Sequence, residues 1–121
     1  MALPKRYRLT SPKEFSRVYK AGRQASTNHL VVKCIEPPRE QPNLGCSRFG
    51  ITISQKVSKH AVVRNRLKRQ VRAALQSLMP RLRQNFWVVI VLRSGAIECD
   101  YWQFLQELEK LFTKLEVCDG Y

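Results

Sequence analysis

Between Glu40 and Glu98 the sequence contains no aspartate or glutamate, although the same interval holds eleven lysines and arginines. A nuclease centre built on two metal ions needs carboxylates to hold them, so the middle of the chain cannot supply one. Long hydrophobic runs are also missing. The longest, Phe86 to Leu92, falls far short of the roughly 20 residues that span a bilayer. The basic start, Met1 to Leu9, is followed by no apolar stretch, so no secretory signal is expected and the chain is expected in the cytoplasm, with no membrane partner. Cysteines are few and scattered. Cys34, Cys46, Cys99 and Cys118 form no Cys-x-x-Cys pair, and His29 and His60 do not stand at ligand spacing from them. Reduced cysteines and no metal site in the protein are therefore expected. There is no internal repeat and no low-complexity tract.

What is present is positive charge. The 121 residues carry 22 Lys+Arg against 9 Asp+Glu, a formal net charge of +13. Such an excess repels itself in a folded state and points to a polyanionic partner. The charge is unevenly placed, because from Glu98 onward six acids face only Lys110 and Lys114. The middle of the chain thus offers the polyanion-binding surface, and the C-terminal part serves the fold. A hydrophobic fraction of 44% suffices for a core, and the length suits one domain over residues 1–121. Residues 1–10 are expected as a flexible basic arm. Residues 36–46, with Pro37, Pro38, Pro42 and Gly45, are expected as a loop.

The first helix has a defined start. Ser11 can cap it, Pro12 suits the first helical position, and Glu14 completes a Ser-x-x-Glu capping box. The helix should carry Phe15, Val18 and Tyr19 and stop at Gly22, which tolerates the left-handed conformation of a helix end. Strands follow at Leu30–Ile35 and at Arg48–Ser54, where Phe49, Ile51 and Ile53 share one face and Gly50, Thr52 and Ser54 the other. A second helix is predicted over Ala61–Leu78 with Ser58 as candidate cap, then an apolar strand over Phe86–Leu92. The last helix, Tyr101–Leu115, aligns Tyr101, Phe104, Leu105, Leu108, Leu111, Phe112 and Leu115 along one core-facing stripe. The pattern is α-β-β-α-β-α with room for an extra strand in Arg23–His29, an α+β sandwich of helices on one mixed sheet.

The informative stretch runs from Lys56 to Arg72, with seven bases and no acid. On a helix, Val63, Leu67, Val71, Ala74 and Leu78 fall in one arc that must face the core. Arg64, Lys68 and Arg72 repeat along one flank, Asn65 and Arg69 point outward, and Arg66 takes the opposite flank. Like charges at this spacing destabilise an isolated helix by about a few tenths of a kcal/mol per pair. A merely solvated face would intersperse glutamate. Guanidinium forks and ammonium groups laid along phosphates account for the pattern better, with Asn65 able to reach a sugar or base edge. A DNA recognition helix would follow a short turn from another helix. Here a strand precedes, so RNA is the preferred polyanion.

The run Ala61-Val62-Val63-Arg64-Asn65-Arg66-Leu67-Lys68-Arg69 closely resembles the RNR motif of bacterial ribonuclease P proteins. Phe49 to Val57 before it is similar to that family's strand and basic turn. Tyr7-Arg8-Leu9, Glu14-Phe15 and Val18-Tyr19 are similar to its first helix, and Phe86 to Val91 to its last strand. The resemblance implies a fold like domains of ribosomal protein S5 and elongation factor G, with a left-handed crossover around the RNR helix where topology rules favour a right-handed one. It implies a protein subunit that binds the catalytic RNA of ribonuclease P and assists Mg2+-dependent removal of the 5′ leader from precursor tRNA, with no further protein partner required. The RNA-subunit contacts would be Arg64, Asn65, Arg66, Lys68, Arg69 and Arg72, beside Lys56 and Lys59. The leader cleft would be lined by Phe15, Tyr19, Val31 and Lys33. Mg2+ would be held by the RNA and the substrate. Two positions depart from the family: Lys33 stands where some members carry an aromatic, and His60 where a small polar residue is common.

Bland roles compete for some of these residues. Phe15 and Tyr19 are one turn apart, a spacing that serves a core as readily as an aromatic platform, and Val31 is a strand valine for which packing suffices. Two other classes of function share the basic helix: a ribosomal-type or general structured-RNA-binding protein without leader preference, and a DNA-binding regulator. Neither histidine has a recognisable acid partner in the sequence, so no catalytic residue is assigned to the polypeptide.

Overall fold

The computed structural model describes residues 8–9, 11–35, 47–81 and 86–115. The expected loop 36–46 and most of the expected arm 1–10 lie outside the described residues, as do Cys46 and Cys118. Helix α1, Pro12–Ala21, starts as its sequence requires. The Ser11 hydroxyl accepts from the Lys13 N–H at 3.2 Å, and Glu14 Oε1 accepts from the Ser11 N–H at 3.2 Å. Its end corrects the expectation for Gly22, whose φ of −73° and ψ of 146° are extended, not left-handed. Glycine is needed there for space. A Cβ would stand 2.4 Å from the Val18 carbonyl oxygen and 3.2 Å from that of Cys34, because the chain turns at once into the sheet.

Strand β1, Arg23–Ser26, is the extra strand, shorter than the Arg23–His29 expected for it. It pairs antiparallel with β2, Leu30–Ile35. The turn between them is closed by Thr27, whose N–H donates to the Leu30 carbonyl at 2.8 Å and whose hydroxyl accepts from the N–H groups of His29 and Leu30. Strand β3, Arg48–Ile53, and strand β4, Trp87–Leu92, pair in parallel, and the sheet order is β1-β2-β4-β3. A parallel neighbour requires a crossover, and α2, Ala61–Leu78, supplies it.

Strand β4 lies inside the sheet and is apolar throughout because both of its faces are covered. Val88, Ile90 and Leu92 join the larger core with Leu67, Val71, Ala74, Leu75 and Leu78 of α2 and with Phe104, Leu108, Leu111 and Phe112 of α3, Tyr101–Lys114. Trp87 and Val89 face the other way, onto Val18 of α1 and Leu9, with Phe15, Ile35 and Val91 packed alongside. Helix α3 is capped by Asp100, whose carboxylate accepts from the Gln103 N–H at 2.9 Å. The result is a mixed four-stranded sheet between an α2/α3 layer and α1, and α1 leaves part of its face of the sheet open.

Candidate nucleic-acid interface

The basic helix is held mainly by packing. Its N-cap is His60, not Ser58, and no side chain caps the first turn, which also contains no acid. The Ser58 hydroxyl works one step earlier, accepting from the His60 N–H at 3.2 Å, while Arg64 Nη1 donates to the Ser58 carbonyl at 2.9 Å. Buried Val57 and the Val57 N–H to Ser54 carbonyl bond at 3.1 Å pin the preceding turn. That turn presents exposed Lys56 and Lys59 beside the open end of the helix. The positive end of the helix dipole therefore faces the same side as these ammonium groups.

Asn65, Arg66 and Arg69 are exposed, while Arg64, Lys68 and Arg72 are half-buried along the flanks. This is the distribution read from the helical wheel, with Leu75 added to the buried arc and Val63 at its margin. Among the described residues, none of Lys56, Lys59, Arg66, Lys68, Arg69 and Arg72 pairs with a carboxylate. Arg64 is partly committed to bracing the turn. Val62 stands 79% exposed in the first turn, an apolar side chain among cations that charge counting overlooks.

On the other face of the sheet, Tyr19 is 42% exposed on α1, and the Lys33 ammonium sits over its ring, 4.6 Å from the centroid. Val31 points to the same face as Lys33, two residues along β2. The strand register places Ser26, Val31, Val91 and Thr52 in one row across the sheet. That row forms the open floor beside α1. Phe15 is half-buried. Its ring lies over Gly50, where a Cβ would stand 2.5 Å from Phe15 Cζ, so the missing side chain of Gly50 seats the aromatic. The structure thus brings Lys33 against Tyr19, with Val31 on the same face of the sheet, while Phe15 sits over Gly50 and packs against the core.

Two groups that the sequence kept apart meet at the edge of β3. Arg72 and Phe15 line the same pocket of about 180 Å³, with Arg8, Leu9, Phe49, Gly50 and Ile51. Helix α2 and Phe15 of α1 are therefore neighbours around one strand edge, with Arg8 and Arg72 among the residues that line it. Sequence reasoning also missed Arg48. It pairs with Glu14, donates to the Arg8 carbonyl from Nη2 at 2.7 Å, and lies over the Trp87 ring at 5.9 Å from the centroid. Arg48 ties α1 and the segment before it to the sheet, so it positions the cleft. A lone arginine ahead of an apolar strand gives no sign of such a role.

Away from these surfaces, Glu107 of α3 binds the β1–β2 turn. It accepts from the Thr27 hydroxyl, from Gln103 Nε2 at 2.8 Å, and pairs with His29 Nδ1 at 2.7 Å. Burial alone would raise its carboxyl, but those hydrogen bonds and the His29 charge hold it below the ordinary value. Burial and the carboxylates of Glu107, Asp100 and Glu98 push the nearby Cys99 thiol up to about 11. His29 thus has an acid partner that the sequence did not reveal. No described helix is long and apolar enough to cross a membrane.

Comparison with known proteins places this architecture. The pattern of the family described as Ribonuclease P matches residues 3–116. The ribonuclease P protein component of Microcystis aeruginosa is 44% identical over 100% of both chains, and that of a Cyanothece species is 44% identical over 98% of this chain and 99% of its own. The solved RNase P protein of Staphylococcus aureus superposes with a TM-score of 0.80 at 25% identity, covering 93% of this chain and 97% of that one.

Proposed function

The chain belongs to the ribonuclease P protein family, protein components of an endoribonuclease whose catalytic subunit is RNA, and from that premise we propose a division of labour between its two surfaces. Helix α2 and its preceding turn bind the RNA subunit through Lys56, Lys59, Arg64, Asn65, Arg66, Lys68, Arg69 and Arg72. The cleft of Phe15, Tyr19, Val31 and Lys33 takes the 5′ leader of precursor tRNA. The observation that carries this reading is the row of cations on α2 that no carboxylate among the described residues neutralises, on a helix whose opposite side is locked into the core.

Crowded phosphates of the catalytic RNA and its substrate repel one another, and cations placed between them reduce that cost. Helix α2 and the turn before it contain no carboxylate for Mg2+, and on this reading the metal is held by the RNA and substrate. The chain's own contribution is phosphate neutralisation and leader capture. For the leader, Lys33 held over Tyr19 can meet a phosphate while the exposed part of the ring offers a surface to a base. Such contacts add affinity for precursor over mature tRNA, which lacks the leader.

Timed cleavage of a precursor tRNA by a bacterial ribonuclease P RNA at low Mg2+, with and without the chain, tests the reading. Leader release at the mature 5′ end should require both components, and saturating protein should lower the Mg2+ requirement. An unchanged Mg2+ requirement would overturn it. In the same assay, Tyr19→Ala with Lys33→Ala should reduce the preference for precursor over mature tRNA by about tenfold, the equivalent of about 1.4 kcal/mol. A preserved preference would remove the leader from this cleft.

A further inference from the structure

We propose that His29, Cys99 and Glu107 form a binding site for a single transition-metal ion, with zinc the best match to their donor set. The three come from separate elements: the β1–β2 turn, the residue between the short 3-10 segment Ser94–Glu98 and the cap of α3, and the second turn of α3. One ligand atom from each lies within 4.8 Å of the others. Around tetrahedral zinc, with ligands at about 2.0–2.3 Å, such atoms stand roughly 3.3–3.8 Å apart, so closure needs shifts of about an ångström or less. His29 Nδ1 and Glu107 Oε2, now 2.7 Å apart, would open slightly to admit the ion.

The surroundings orient the ligands. A Cβ on Gly95 would stand 3.0 Å from His29 Cδ2, so glycine there lets the imidazole lie against the 3-10 segment. Thr27 and Gln103 hold the Glu107 carboxylate by hydrogen bonds, the kind of outer support that fixes a metal ligand. A hydrogen-bonded lock between His29 and Glu107 would account for those two residues, whereas Cys99 belongs to the larger core and yet brings its sulfur within 4.8 Å of their ligand atoms. Among the described residues, that thiol's hydrogen-bond contact is a long one to the Gly95 carbonyl, at 4.0 Å. Imidazole, thiolate and carboxylate together suit zinc, whereas Mg2+ and Ca2+ prefer oxygen alone. On binding, the Cys99 proton leaves to solvent. Thiolate and carboxylate then balance the two charges of the ion, and the fourth position is left to water. The bound ion would clip the hairpin of the short edge strand β1 to α3.

Co2+ is the probe, added to the full-length chain under reducing conditions. Expected are a near-ultraviolet thiolate-to-cobalt band and the visible bands of tetrahedral Co2+, at one ion per chain and displaced by Zn2+. Cys99→Ser should abolish the thiolate band, His29→Ala should weaken binding at least tenfold, and Cys46→Ser and Cys118→Ser should leave the band in place. Zn2+ should raise the melting temperature of the parent chain and not that of Cys99→Ser. Should Cys99→Ser melt too low to compare, Cys99→Ala takes its place. Absence of a thiolate band, its persistence without Cys99, or its loss with Cys46 or Cys118 alone would overturn the site. None of these readouts depends on RNA cleavage.

Discussion

Helices α2 and α3 pack against one another over the same core, yet they are built by opposite rules. Helix α3 starts on a capping aspartate and buries four large side chains. Helix α2 has no side-chain cap, no acid in its first turn, and like charges stacked along its flank. Each omission costs stability that an isolated helix could not spare. The difference teaches where to look for function: local stabilising devices are present where the chain only has to fold and missing where they would neutralise a charged surface. Helix α2 survives because five buried residues and the two strands it connects hold it in place.

If that is right, truncating the buried side of α2 should have the largest effect. Leu67→Ala should cost about 3 kcal/mol in denaturant unfolding, and a loss below about 1 kcal/mol would mean that α2 has another source of support. Next comes the exposed side. Arg66→Ala with Arg69→Ala should reduce the slope of log affinity for RNA against log salt by roughly 1.4–1.8 with no loss of thermal stability. An unchanged slope would show that these two cations do not meet phosphates. The smallest effects concern the caps. Asp100→Ala should lower stability by about 1 kcal/mol and leave RNA affinity alone. His60→Asp, which gives α2 the cap it lacks, should raise stability by about 0.5–1 kcal/mol and weaken RNA binding. Improvement in both properties would refute the trade-off.

Much of this was legible because it depends on residues close together in sequence. The capping box of α1, the buried arc of α2 and the stripe of α3 are periodic or contiguous signals, and the family's RNR motif identified the candidate RNA-binding residues. The structure places all eight on the solvent side of α2 or in the turn before it, sets Lys33 over Tyr19 and leaves Val31 on the same sheet face as Lys33. What could not be read involves partners far apart in the chain. Gly22 ends α1 at the expected residue for a different reason, the lack of space for a Cβ beside the Val18 carbonyl and, across the sheet, that of Cys34. The same holds for Arg48 with Glu14, for His29 with Glu107, and for Arg72 and Phe15 sharing a pocket. Cap choice also failed locally. Ser58 has the right chemistry, but its hydroxyl is spent on the turn.

The edge of β3 has a consequence for handling the protein. Its outer side is covered by a single parallel bridge from Arg8 to Phe49, and beyond that bridge it has no strand partner among the described residues. An apolar strand with open backbone groups is a template for pairing with another copy. Here the approach is guarded by Arg8 and Arg72 on a molecule of net charge +13, so two copies repel before their edges can meet. The same cations thus act as gatekeepers against aggregation. Because mutual repulsion is screened within about 10 Å at 0.1 M salt and about 3 Å at 1 M, concentrated salt removes that guard. Stocks should stay monomeric at low ionic strength and self-associate as salt rises.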